Sequence, residues 1–209
     1  MKTLAIIGSG DLGQQIAHYA FTDKHYSRVV FFDDFATEKE VVGIAVVGRV
    51  SEIETAFNEK LFDEVLIGIG YKHLAVKKKI YNNLKGKIPF GKIIHSTSWV
   101  DASATIEKGC VVYPGCLIDA KVKIKANTIL NIGCTIAHDT VVNSHCFLSP
   151  RVAIAGFVKV EELCVLGINT TIIDGISIVE KTQTGGGTVL IKSIEKSGLY
   201  VGNPAKFIR

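Results

Sequence analysis

From Ile94 to about Leu190 the hydrophobic pattern repeats every six residues: Val100, Ile106, Val112, Ile118, Ile124, Leu130, Ile136, Val142, Leu148, Ile154, Val160, Leu166, Ile172 and Ile178 continue the beat begun by Ile94. Four residues after each stands a smaller or β-branched side chain, from Ser98 and Ala104 through Cys110, Cys116, Thr128 and Cys134 to Thr170 and Thr182. A helix repeats near 3.6 residues and a lone strand near 2, so neither produces a strict beat of six. A parallel β-helix does, because each rung buries its apolar side only by stacking on its neighbours. Three hexads per triangular turn give about five coils, stacked at the ~4.8 Å spacing of adjacent strands.

Ahead of the hexads the pattern alternates between strand and helix. Thr3–Ile7 is an apolar run closed by Gly8-Ser9-Gly10-Asp11-Leu12-Gly13, and Gln14–Ala20 has helical character. Val29–Phe32 predicts a second strand, followed by a short one near Ile44–Val47, a helix from about Ser51, a strand over Glu64–Ile69, a helix over Lys72–Leu84 and a further strand at Ile88–Ile94. The predicted architecture is an N-terminal α/β half-Rossmann domain, residues 1–92, followed by a parallel β-helix, residues 93–209.

Gly8, Gly10 and Gly13 match G-x-G-x-x-G, whose glycines allow a tight turn and close backbone approach to a phosphate at a helix N-terminus. Asp33 lies twenty residues after Gly13, where a carboxylate can accept from a ribose, and Asp34 follows it. Dinucleotide folds use two such halves and this chain has one, which points to a smaller nucleotide, one carrying a sugar. The substrate-binding candidates are therefore Gly8, Ser9, Gly10, Asp11, Asp33 and Asp34, with Gly70, Tyr71 and Lys72 placed on the same carboxyl edge by the Gly68–Lys72 turn.

Composition narrows the class. Of 209 residues, 47% are hydrophobic and 21% charged, so the chain folds rather than remaining disordered. A net charge of +4 with scattered lysines does not favour nucleic acid, and Lys77-Lys78-Lys79 reads as the solvated face of a helix. All five cysteines fall on the inward beat, which explains them as small apolar corner fillers and leaves no spacing for a metal site. The opening apolar run is too short for a secretory signal and no stretch spans a bilayer, which predicts a cytoplasmic protein that does not enter membranes.

Within the coils the off-beat residues carry the chemistry. His138 is two residues past Ile136, near a corner and outside the inward row, and Asp139 beside it can orient the imidazole and stabilise its charged form. His145 lacks an acidic neighbour and reads as a surface residue, and His18, His25, His73 and His95 receive no role. Past Ile178 the beat falters at Thr184, and Gly185-Gly186-Gly187 offers a backbone on which an extended molecule could lie closely.

The ordered set of G-x-G-x-x-G, hexads, Leu130-Asn131 with His138-Asp139, Ala155-Gly156, Leu166-Gly167-Ile168-Asn169, the glycine triplet and Val201-Gly202-Asn203-Pro204-Ala205-Lys206 resembles the left-handed β-helix sugar O- and N-acetyltransferases. That resemblance implies a left-handed solenoid, acetyl-CoA as co-substrate, and a homotrimer with active sites between subunits. It further implies His138 as catalytic base, Asp139 as its acidic partner and Asn131 as an active-site asparagine. Gly156 would meet the thioester carbonyl through its N–H, and Gly167, Ile168, Gly186, Asn203 and Pro204 would line the coenzyme. Leu12 and Phe147 stand where many relatives carry histidine. The expected activity is acetyl transfer to the amine of a nucleotide-linked 4-amino-4,6-dideoxy sugar, with O-acetylation of sialic acid or another sugar hydroxyl as the alternative. A nucleotide-sugar sensor and an NAD-linked oxidoreductase are the readings from other classes.

Overall fold

The structure, a computed structural model, describes residues 2–209. It divides into two compact units that meet in sequence between Ile93 and Ile94.

In the first unit β1 (Thr3–Ile7) leads into α1 (Asp11–Thr22), and β2 (Arg28–Phe32) follows. Next come β3 (Glu40–Val41), β4 (Ile44–Gly48), α2 (Ile53–Asn58), β5 (Glu64–Ile67) and α3 (Leu74–Leu84). The sheet order is β3-β4-β2-β1-β5, parallel except for β3 against β4. Near-continuous apolar runs suit strands covered on both faces, and Leu4, Ala5, Ile6, Val30, Phe31, Val65 and Leu66 are all fully buried. The fingerprint glycines are needed for close packing: a side chain on Gly13 would overlap the Gly8 carbonyl, and one on Gly68 would lie 2.6 Å from the Gly13 Cα.

Two expectations for this unit fail. The run Ile88–Ile94 does not become a continuous strand; it is reduced to a bridge between Phe90 and Val65 and the pair Ile93–Ile94. Pro89 lacks an N–H to continue a ladder, and Gly91 packs against the Tyr26 hydroxyl. The lysine run is not wholly solvated either. Lys77 is buried on the inward stripe of α3 with Leu74, Tyr81 and Leu84, so its methylene stem lies inside the unit.

The second unit is a three-sided parallel β-helix of two-residue strands. One face stacks Trp99–Val100, Leu117–Ile118, Thr135–Ile136, Ala153–Ile154, Thr171–Ile172 and Val189–Leu190. The second stacks Thr105–Ile106 through Ser177–Ile178, and the third includes Val111–Val112 through Gln183–Thr184 and closes on the antiparallel pair Leu199–Val201 and Lys206–Phe207. Partners are one coil apart, as in Leu117 with Thr135 and Ile118 with Ile136. Within the prism the aliphatic beat and the five cysteines form one apolar column, with Cys110, Cys116, Cys134, Cys146 and Cys164 all fully buried and unbridged. Burial pushes the Cys146 thiol well above its ordinary range.

From Gly109 to Gly187 each corner turns through a left-handed residue, and these align in columns: Lys121, Asp139, Phe157 and Gly175 in one, Asn127, His145, Leu163 and Lys181 in another, Gly133, Arg151, Asn169 and Gly187 in the third. His145, expected at the surface, is buried, because its side chain folds back onto Asn127 of the preceding coil, with Nδ1 2.9 Å from the amide nitrogen. Where the beat falters, Thr184 still points inward and is buried. Its hydroxyl accepts from the Gly167 N–H at 2.8 Å and pairs with the Thr170 hydroxyl at 2.7 Å, so a polar rung replaces an apolar one.

Candidate functional site

In the first unit the residues gather at the carboxyl ends of β1 and β2. Gly8 takes φ +96°, which turns the chain off β1 and sends it into α1 with Gly10 as the residue before its first turn. A side chain on Gly10 would meet nothing within 4 Å, so the backbone there faces open space at a helix N-terminus. The Ser9 N–H and hydroxyl both donate to Asp33 Oδ2 at 2.7 Å, and the Phe35 N–H donates to Oδ1 at 2.9 Å. Burial alone would raise the Asp33 carboxyl, but hydrogen bonds from Ser9, Phe35 and Ala36 outweigh it and hold the group below the usual carboxylate value. Asp33 thus fixes the glycine turn. Asp34 takes the Val50 N–H on one oxygen at 2.9 Å.

A cavity of about 440 Å³ opens beside this turn, lined by Gly8, Asp33 and Asp34 together with Phe35, Val50, Ile69, His73 and Val76 among others. Ser9 is buried behind it, and Gly10, Asp11, Gly70, Tyr71 and Lys72 are not among its walls. Asp11 instead borders a separate groove along α1 with Gln14 and His18. His73, Phe35 and Val50 carry no sequence motif; only the β-strand order, which places their loops side by side, marks them.

In the second unit His138 and Asp139 occupy a corner between two faces. Asp139 has φ 57°, which turns its carboxylate back toward the ring, leaving Oδ2 3.2 Å from His138 Nδ1 and Oδ1 3.9 Å from Lys121 Nζ. With Nδ1 held by the carboxylate, Nε2 is the nitrogen left to take a proton. Gly156 lies one coil further on in the same column, under the ring: a Cβ there would come 2.8 Å from His138 Cε1 and 3.0 Å from Nε2. Only glycine lets base and backbone approach so closely. Among the described residues the Gly156 N–H donates to no group of the chain, while its carbonyl accepts from the Gly175 N–H. Phe157 completes the corner, its ring edge-on to the imidazole with centroids 5.0 Å apart.

Asn131 stands on another corner. Its Oδ1 accepts the Ile132 N–H at 2.8 Å, and no hydrogen bond joins it to His138. Two coils on, in the same column as Asn131, Gly167 lies so close to the next coil that a Cβ would sit 2.5 Å from the Thr184 carbonyl oxygen. Ile168 is half-exposed beside Gly186, and Gly187 donates to the Ile168 carbonyl at 2.8 Å. Asn203 and Pro204 lie in the exposed turn before Lys206, pinned to Val189 by bonds from Ala205 and to Gly202. The two corners flank the same face, the one that presents Trp99 and Leu117 to the exterior.

Residues 3–84 match the PglD N-terminal domain family. With the hexad coils behind that domain, the chain has the fold of the left-handed β-helix sugar acetyltransferases and is an acetyltransferase. No curated protein matches it. Among solved structures, the acetyltransferase domain of PglB from Neisseria gonorrhoeae FA1090 is 25% identical with a TM-score of 0.92 over 100% of both chains, and a further structure of that domain is in complex with acetyl coenzyme A. A mutant perosamine N-acetyltransferase from Caulobacter crescentus, in complex with CoA and GDP-perosamine, is 26% identical with a TM-score of 0.90 over 100% of this chain and 98% of that one. WeeI from Acinetobacter baumannii AYE shares the fold at 20% identity and a TM-score of 0.86.

Proposed function

We propose that this chain transfers acetyl from acetyl-CoA to the amine of a nucleotide-linked 4-amino-4,6-dideoxy sugar. The observation that carries the reading is the His138 corner: an imidazole anchored through Nδ1 to Asp139, lying over a glycine whose N–H has no partner among the described residues. As the amine nitrogen bonds to the thioester carbonyl carbon, His138 Nε2 takes its proton and passes it to the departing sulfur, so that N-acetyl sugar and free thiol leave and the imidazole is restored. Asp139 orients the ring through its contact with Nδ1. The Gly156 N–H donates to the developing oxyanion, a contribution of ~3 kcal/mol for a single donor. The five thiols take no part, since all are buried in the prism.

The N-terminal cavity is assigned to the nucleotide, with the phosphates at the open Gly10 backbone, and the coils at Gly167, Ile168, Gly186, Asn203 and Pro204 to the coenzyme. GDP-perosamine and CoA in the Caulobacter relative, and acetyl coenzyme A on the Neisseria domain, support both assignments. A homotrimer with sites between subunits accounts for the exposed Trp99, Leu117, Ile132 and Ile168 on and beside one face, and would let Asn131 of one chain approach His138 of another. His138→Ala is expected to lower kcat ~10²–10⁴-fold while coenzyme binding by calorimetry persists. Near-normal turnover would reject this base. Assaying labelled acetyl transfer to amino-sugar nucleotides beside sialic acid separates N- from O-acetylation.

A further inference from the structure

Phe157 is an odd residue to find where it stands. It turns its corner at φ 58°, a conformation in which a bulky side chain is uncommon and which asparagine and glycine tolerate far better. Its column otherwise holds Lys121, Asp139 and Gly175. Leu163, a bulky apolar residue at an equivalent corner, is half-buried, so packing offsets its backbone strain. Phe157 is 63% exposed. Its N–H bond to the His138 carbonyl, 3.1 Å, would form with any residue but proline. Neither the turn nor the core therefore asks for a phenyl group here. What the phenyl group does touch is the His138 imidazole, at 86° with centroids 5.0 Å apart, on the residue next to Gly156. Strain that folding does not need points to a site.

We propose that Phe157 is a positioning residue: its ring holds the His138 imidazole over Gly156, while its open face walls the acceptor side of the base. The ring restricts rotation that the Asp139 contact alone, at 3.2 Å on an exposed corner, leaves loose. Its apolar face favours an acceptor whose carbon neighbouring the amine-bearing ring carries hydrogen rather than hydroxyl, as a 6-deoxy sugar does. This rests on the N-acetyl transfer proposed above.

The test is Phe157→Asn, since asparagine already turns corners in this chain at Asn127 and Asn169. The variant should melt at the same temperature or higher, and keep its KM for acetyl-CoA, while kcat falls ~3–10-fold, the size of one aromatic pair. Phe157→Tyr should restore kcat. The preference of the wild type for a 6-deoxy over a 6-hydroxy acceptor should shrink in Phe157→Asn. Independently of substrate, the carbon-bound ring protons of His138 should lose their ring-current shift in the NMR spectrum of Phe157→Asn and regain it in Phe157→Tyr. An unchanged kcat with unmoved His138 signals overturns the proposal, as does a variant that falls apart into smaller oligomers, which would make Phe157 an assembly residue. If the wild type acetylates no sugar nucleotide, it is the function that fails, and the His138 signals still decide the positioning role.

Discussion

A single methyl group is the sharpest probe of the His138 corner. Gly156→Ala would put a Cβ 2.8 Å from His138 Cε1, and the ring, exposed on its other side, would swing away. Misplacement of a base by about 1 Å costs on the order of 10²-fold, so kcat should fall by that factor while the melting temperature hardly moves; steady-state kinetics and a thermal melt check both. Asp33 is probed by pH. Its folded carboxyl sits below the ordinary 3.8, so its hydrogen bonds stabilise the unit above that value, and the contribution is lost as pH falls through the depressed one. Asp33→Asn should cost ~1 kcal/mol at pH 7 in a urea melt, with the gap to the wild type closing below about pH 3.8. At this scale the sequence reveals which residues leave the hexad beat, and hence that His138 stands at a corner. It does not reveal what packs on them: His145 leaves the beat too, yet lies buried against Asn127, and Asp33 has the spacing of a ribose ligand while its oxygens serve Ser9 and Phe35.

At the scale of elements the last coils depend on Thr184. Thr184→Val keeps the shape of the aliphatic it replaces, but leaves the Gly167 N–H without its acceptor and Thr170 without its hydroxyl partner. A cost of ~1–3 kcal/mol is expected, confined to the C-terminal end, and hydrogen exchange at the Gly167 amide should accelerate more than in the middle coils. The strands were legible because a period of six is its own signal, and the first helix because the glycine turn announces it. The run Ile88–Ile94 misleads because apolarity alone ignores Pro89. Lys77 misleads because its charge hides its place on the stripe of Leu74, Tyr81 and Leu84, a spacing that was present in the chain all along.

For the whole molecule, the cysteine column gives a measure of integrity. All five thiols are buried, and burial holds the Cys146 thiol protonated through the neutral range, so an aromatic disulfide reagent should label none of them until the prism opens. Fast labelling of even one in the native protein would contradict the packing described. The proposed trimer should scatter light as three chains of 22.6 kDa, and a charged residue in place of Leu117 should shift that mass downward. Neither unit's chemistry follows from its fold alone, since the coils supply a scaffold and the corners decide what is mounted on it.

His138 and Gly156 face each other because one circuit of the prism consumes 18 residues, the same offset that links the Val158 N–H to the Thr140 hydroxyl. Deleting or inserting one hexad between them would carry the glycine a third of the way round the barrel, emptying the site while every strand still found a partner. A whole circuit added between Gly156 and Gly167 would keep the base over its glycine but carry the positions assigned to the coenzyme one rung further away. Descendants of this gene can thus change length within the stretch from Asn131 to Pro204 only through bulges that protrude from a corner and preserve the phase.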